Sequence, residues 1–198
     1  TAVDDSFSDA NDTLTVLEDA SSSSGDLLSG SSSPDGPLSI TVYTIAGYSG
    51  STSLGYPVTV AGKGTVTINA NGTYIFTPAA NWNGSFPLIT YTVSDGDTTD
   101  TSTLAITVTA VNDSFSDASE TDTVNEDSGT SSGNLLSGST SPDGPLSITG
   151  FSITGQSGPF SLGQAYAVSG QGSLTLNANG TYSFTPVAEW SGSFPVVT

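Results

Sequence analysis

The segment AVDDSFSDA starts at Ala2, and AVNDSFSDA starts at Ala110. SPDGPLSIT starts at Ser33 and again at Ser141, and NANGTY at Asn69 and again at Asn177. All three recur 108 residues apart. The register holds without a gap from Thr1/Thr109 to Thr90/Thr198, with 58 of the 90 paired positions identical. A period of 108 is too long for a solenoid repeat and is the size of one autonomous domain. The chain therefore reads as two tandem copies, residues 2–109 and 110–198. The second copy has no counterpart of Tyr91–Thr109 and is C-terminally incomplete as a domain. This predicts an open sheet edge and a half-covered core there, and a native protein that continues with further copies.

Within one copy, short apolar alternations are punctuated by turn residues. Thr13–Glu18 reads as a first strand, Asp26–Ser29 as a second, and Leu38–Ile45 as a third. Val58–Ala61 follows. Thr65–Ala70 and Thr73–Thr77 flank Asn71-Gly72, a strong hairpin signal. Phe86–Ser94 and Thr101–Thr109 form a last pair around Asp95-Gly96-Asp97. Ser33-Pro34-Asp35-Gly36-Pro37 is a turn, because Pro presets φ and Gly accepts φ > 0. About eight short strands at this spacing, without a helical period, predict an all-β chain of tandem immunoglobulin-like β-sandwich domains. A closed barrel is the alternative.

Charge narrows what such domains can do. One Lys (Lys63) stands against 19 carboxylates, for a formal net charge of −18, and the chain has no Arg, His, Cys or Met. Phosphates could not be neutralised, so nucleic acid is excluded as a partner, and anionic lipid likewise. Triads based on His or Cys, thiol redox chemistry, and zinc, haem and iron–sulfur sites lose their usual groups. No stretch approaches the roughly 20 apolar residues needed to span a bilayer. Disulfides cannot brace the fold.

The acids are not scattered. Asp5/Asp113, Asp9/Asp117, Asp12/Glu120, Glu18/Glu126, Asp19/Asp127 and Asp35/Asp143 recur in both copies, nearly all in linkers and turns. A solvated, solubilising surface is the simpler reading. However, runs such as Asp4-Asp5, Glu18-Asp19 and Asp95-Gly96-Asp97 with Asp100 crowd like charges without a Lys or Arg beside them. Such runs call for a counter-ion. Ca²⁺ takes about six to eight oxygens from carboxylates, Asn side chains and carbonyls, whereas Mg²⁺ tends to keep its waters. No EF-hand loop or glycine-rich calcium nonapeptide is present, so the expectation rests on clustering alone. In a sandwich with this strand count, the loop after the first strand should lie beside the exit at Thr109. One Ca²⁺ is therefore expected near Glu18, Asp19, Asn112, Asp113 and Asp143. The equivalent site before copy 1 would use Asp4, Asp5, Asp35 and the Asp95/Asp97 turn. Asp9, Asp100, Asp117, Glu126 and Asp127 complete the set of expected metal ligands.

The order AVND, an acidic pair within EDS, NLLSG, SPDGPLSIT, LNANGTYSFTP and YTVSDGD resembles the bacterial Ig-like and cadherin-like tandem repeats of giant surface adhesins. The DDSFSDA opening is similar to the extender repeats of repeats-in-toxin (RTX) adhesins, including those of a calcium-stabilised ice-binding adhesin. The resemblance covers the whole chain. One departure is Pro37 and Pro145, where many relatives carry an acid. The resemblance implies type I secretion to the bacterial cell surface, outer-membrane anchorage, and a calcium-rigidified stalk that projects a distal ligand-binding domain.

The chain is thus expected to be a monomeric structural extender, not an enzyme. It would have no direct membrane contact, and its partners would be neighbouring repeats of the same chain. A carbohydrate- or cell-surface-binding module is the alternative, since Trp82 and Trp190 could stack on sugars instead of capping the core. Carboxylate pairs could serve a glycosidase, but no cleft-forming insertion appears and the acids lie in linkers. Ice binding is not expected, because no flat, regular Thr array is present.

Overall fold

Strands form where Val, Ile, Tyr and Phe alternate with Thr and Ser, residues that suit a pleated, half-buried surface. The computed structural model describes residues 5–198. The chain divides into two compact units, Thr1–Asn112 and Asp113–Thr198. Every regular element among the described residues is a strand, and no helix is long and apolar enough to cross a membrane.

Unit 1 carries nine strands: β1 (Asp12–Leu17), β2 (Ser23–Asp26), β3 (Ser39–Ile45), β4 (Val58–Val60), β5 (Gly64–Ile68), β6 (Thr73–Pro78), β7 (Gly84–Ser85), β8 (Ile89–Ser94) and β9 (Thr99–Thr109). One sheet has the order β1-β9-β8-β3, with β7 also pairing β9; the other has the order β2-β6-β5-β4. β1 runs parallel to β9, in register from Asp12↔Leu104 to Leu17↔Thr109. β8 is antiparallel to β9. The inner faces meet in one core. Val66, Ile68 and Phe76 of one sheet and Ile89, Tyr91, Val93, Leu104, Ile106 and Val108 of the other are all buried in it. This is an immunoglobulin-like β-sandwich. The Asn71-Gly72 turn closes the β5–β6 hairpin with Gly72 at φ 87°, a conformation that costs glycine little.

Three elements differ from the sequence reading. The second strand is Ser23–Asp26 and not Asp26–Ser29. Gly25 lies under the Tyr74 ring, where a Cβ would come within 2.6 Å of the phenol oxygen, so this polar stretch is selected by steric fit. Leu27 is still buried, but from the turn that follows, where Asp26 Oδ1 accepts from the N–H of Leu28. The strand expected over Phe86–Ser94 starts only at Ile89, as β8, because Pro87 has no N–H to give to a ladder; the short β7 at Gly84–Ser85 lies before it. The last strand starts at Thr99 and not at Thr101.

Unit 2 holds β10 (Ser131–Asn134), β11 (Ala165–Val168), β12 (Gly172–Leu176) and β13 (Thr181–Pro186) in one sheet, order β10-β13-β12-β11. These match β2, β4, β5 and β6 of unit 1. The counterpart of β3 is reduced to an isolated bridge, Ile153↔Val197, with N–H···O bonds between Ser152 and Thr198. The counterpart of β1 forms no strand. Both depend on pairing with residues equivalent to β8 and β9, and residues 91–109 have no equivalent in 110–198. The inner face of the unit 2 sheet, with Leu174, Leu176 and Phe184, lines an open groove of about 820 Å³.

Candidate metal centres

Acidic side chains gather at both ends of unit 1, and most of them accept from neutral donors. At the end where the chain enters, the N–H of Asp5 donates to Asp35 Oδ2 at 2.6 Å. The N–H of Asp35 donates to Ser33 Oγ at 3.2 Å, and that hydroxyl donates to Asp95 Oδ2 at 2.6 Å. Asp95 Oδ1 also accepts from the N–H groups of Asp97 and Thr98. Ser33 foremost, with these backbone donors, lowers the Asp95 carboxyl to about 2. Asp5, Asp35 and Asp95 are thus linked through the SPDGP turn, and Asp97 is exposed beside them. Asp4 lies outside the described residues.

Asp100 belongs to a different group. Its Oδ2 accepts from the N–H of Asp9 at 2.7 Å, which is the largest cause of its lowered pKa. The Asp9 carboxylate takes the hydroxyls of Ser31 and Tyr91. Tyr91 Oη also lies 2.6 Å from Asp12 Oδ2. Burial, then the charges of Asp9 and Asp26, push the Asp12 carboxyl up against the lowering effect of the Tyr91 bond. Burial also pushes the Tyr91 phenol strongly up. The sequence reading placed Asp12 among the recurring acids but gave it no site. Its pairing with Tyr91 is fixed by the parallel register of β1 on β9, which short-range sequence signals do not reveal.

At the opposite end of unit 1, the parallel β1–β9 pairing continues as the N–H of Glu18 donates to the Thr109 carbonyl at 2.9 Å. Glu18 is a buried carboxylate, 3% exposed. Its Oε1 accepts from the N–H of Val111 at 2.6 Å and its Oε2 from Asn83 Nδ2 at 3.1 Å. Asp19 next to it sits at φ 61° and accepts the N–H of Asn81, itself at φ 54°. The left-handed region admits Asp and Asn more readily than most residues. Asn112 is exposed.

Unit 2 repeats much of this. The N–H of Asp113 donates to Asp143 Oδ2 at 2.8 Å, and the N–H of Asp143 to Ser141 Oγ at 3.2 Å, as at Asp5, Asp35 and Ser33. Ser139 donates to Asp117, as Ser31 does to Asp9. Asp127, at φ 57°, accepts from the N–H of Glu189, as Asp19 does from Asn81. Glu126 departs from the pattern: it is exposed, whereas Glu18 is enclosed. Asp122, not singled out in the sequence, accepts from Ser131 at 2.7 Å, and this lowers its pKa.

The donor set of these loops is carboxylate, hydroxyl and carbonyl oxygen, which suits a hard cation such as Ca²⁺. The chain's one Lys lies elsewhere, with Nζ 5.6 Å from the centroid of the Trp82 ring. Both Trp82 and Trp190 pack against their unit's core.

The model of the bacterial cadherin-like domain matches residues 4–110. The chain belongs to the bacterial cadherin-like family. Domains of this family are extracellular or surface modules, and they generally bind Ca²⁺. No curated protein matches the chain in sequence. Among solved structures, the ectodomain of human desmocollin-1 is similar at 12% identity, with a TM-score of 0.42, over all of this cadherin-like chain and 34% of that one. The titin domains Z1Z2 in complex with telethonin are similar at 14% identity, with a TM-score of 0.38, over all of this chain and 94% of that one. The chain spans about a third of the desmocollin ectodomain.

Proposed function

We propose that the chain is a calcium-stabilised extender of a large bacterial surface adhesin of the RTX type, exported by type I secretion. Ca²⁺ in its loops and linker would stiffen an array that holds a ligand-binding domain away from the cell. The observation that carries this reading is the Glu18 carboxylate. It is buried next to the exit of β9 and, among the described residues, accepts from two neutral N–H donors, although burying a negative charge without a cation is costly. A Ca²⁺ held by the carboxylates of Glu18 and Asp19 with the side-chain oxygen of Asn112 would supply the missing positive charge. A second ion on Asp5, Asp35 and Asp95 would do the same at the entry end, with Asp4 as a further donor. Recurrence of the Asp5–Asp35 hydrogen bond as Asp113–Asp143 supports a site that every repeat rebuilds.

With an ion bound, the protein's own groups act as follows. Carboxylates hold the loops at each end of the sandwich, and the linker loses the freedom that shortens a tandem array. No catalytic step is involved. Small-angle scattering and thermal melting with Ca²⁺ and with EDTA test the proposal. Calcium should raise the melting temperature and lengthen the maximum dimension. If both quantities are indifferent to chelation, the extender loses its calcium strut. A specific glycan that binds the pair and is lost on Trp82→Ala would favour a binding module instead.

A further inference from the structure

The outer face of the β1-β9-β8-β3 sheet of unit 1 carries no charged side chain. Two rows cross β3, β8 and β9 there, Val42–Thr92–Thr101 and Thr44–Thr90–Thr103. β1 adds Thr13, Thr15 and Leu17 beside Ala105, Thr107 and Thr109 of β9. Residues directly opposed across a ladder share a face. The two acids of these strands, Asp12 and Asp100, are opposed to the core residues Leu104 and Val93, so they lie on the other side. The face is also apolar in places. Among the described residues, unit 1 exposes five large apolar side chains, and three belong here: Leu17 at 58%, Val42 at 50% and Leu88 at 45%. Leu88 extends the ladder by accepting from the N–H of Ala46 and alternates with the buried Ile89. The other sheet differs, since Asp26 stands on its outer side opposite Thr73.

We propose that this face is where a second copy of the chain docks, sheet against sheet, in a weak lateral dimer. Charge selects the partner. Two chains at −18 repel each other, and on a charge-free face two copies can meet without apposing carboxylates. Chemistry selects the same partner. A threonine hydroxyl both donates and accepts, so a threonine face is complementary to itself, as a two-fold interface requires. The chain already makes such a pair across β4 and β5, where Thr59 Oγ1 lies 2.9 Å from Thr65 Oγ1. Four strands about 4.8 Å apart and about six residues long cover a footprint of roughly 400 Å², about half of what each partner gives to a stable interface. The dimer is therefore a high-concentration state, and the monomer expected from the sequence is the dilute one. The corresponding positions of copy 2, Thr121, Thr123, Asn125, Gly150 and Ser152, are uncharged as well. The inference does not rest on the calcium reading.

The test uses the full 198-residue chain at about 0.5 M salt, where exposed charges are screened. The chain has no Cys, so Thr103→Cys takes a single nitroxide, and its relaxation effect is read on isotope-labelled chain mixed with it. Broadening that grows with concentration is expected at Val42, Thr92 and Thr107. A nitroxide on Thr67→Cys, on the other sheet, should leave those residues sharp. Thr92→Glu with Thr103→Glu sets like charges against each other and should weaken self-association at least about tenfold. Calorimetry checks that this double variant is folded; where it is not, the two nitroxide positions decide alone. Sedimentation that stays monomeric at millimolar concentration, equal broadening from the two labels, or undiminished association of the folded double variant overturns the proposal. So does a face whose signals shift with a neutral glucan while the chain stays monomeric, which would make a glycan the occupant.

Discussion

The phenol of Tyr91 donates to Asp12 Oδ2 at 2.6 Å while also lying 2.9 Å from Asp9 Oδ2. One phenolic proton can serve only one acceptor at a time. Two carboxylates therefore compete for it in a partly buried place. Burial and the neighbouring charges of Asp9 and Asp26 raise the Asp12 pKa. A raised folded-state value means that the contribution to stability is full below the ordinary aspartate value and is lost as pH rises through the folded one. In chelator at neutral pH, Asp12→Asn should therefore raise the melting temperature of unit 1 by a few degrees. The gain should vanish in acid, where Asp12 already carries a proton. A lower melting temperature at neutral pH would mean that the Asp12 charge is better compensated than its surroundings indicate.

Asp95 behaves in the opposite sense. Its carboxyl is lowered to about 2, with the Ser33 hydroxyl as the largest cause. Its contribution is present above the ordinary aspartate value and is lost as pH falls toward 2. Carboxyl-carbon NMR should show Asp95 titrating well below the ordinary aspartate value, and Ser33→Ala should bring it back toward that value. If the variant leaves the titration where it was, the backbone N–H groups of Thr98 and Asp97 hold the charge without the serine.

Tyr43 and Phe151 occupy equivalent places in the two copies, and they differ by one hydroxyl. Tyr43 is 1% exposed, and its hydroxyl has no hydrogen-bond partner among the described residues. A buried polar group left unpaired costs about 1–3 kcal/mol. Tyr43→Phe should therefore stabilise unit 1 by about 1 kcal/mol, or roughly 4–8 °C in melting temperature for a domain of this size. Calorimetry of the full chain provides the measurement. A destabilised variant would reveal a buried water satisfying the phenol.

The sandwich was legible because apolar alternation and turn chemistry are local signals, and β3, β5 and β6 lie within a residue or two of where those signals put them. β2 was not legible, because SSGD carries no apolar residue and is chosen by the space that Gly25 leaves for the Tyr74 ring. The acids of the SPDGP turn could be read as a group because the turn itself brings Ser33 and Asp35 together. By contrast, the contacts of Asp9 with Asp100 and of Asp12 with Tyr91 join residues 79 or more apart in sequence. Such contacts come from sheet register, and no single-sequence pattern encodes which strand lies beside which.

Glu18 separates the charge from the hydrogen bonds it makes. Glu18→Gln removes a buried charge and keeps an oxygen to accept from the N–H of Val111, so without calcium the melting temperature of unit 1 should rise. With saturating calcium, the wild-type chain should gain stability by mass action on the folded state. The variant should lose about half of that gain or more, since a carboxylate ligand has become a neutral one. Asp26→Asn serves as the control, because Asp26 Oδ1 caps the N–H of Leu28 and Asn can do the same. Equal calcium-dependent gains in Glu18→Gln and the wild type would remove Glu18 from the metal site and leave its burial to be explained by Val111 and Asn83 alone.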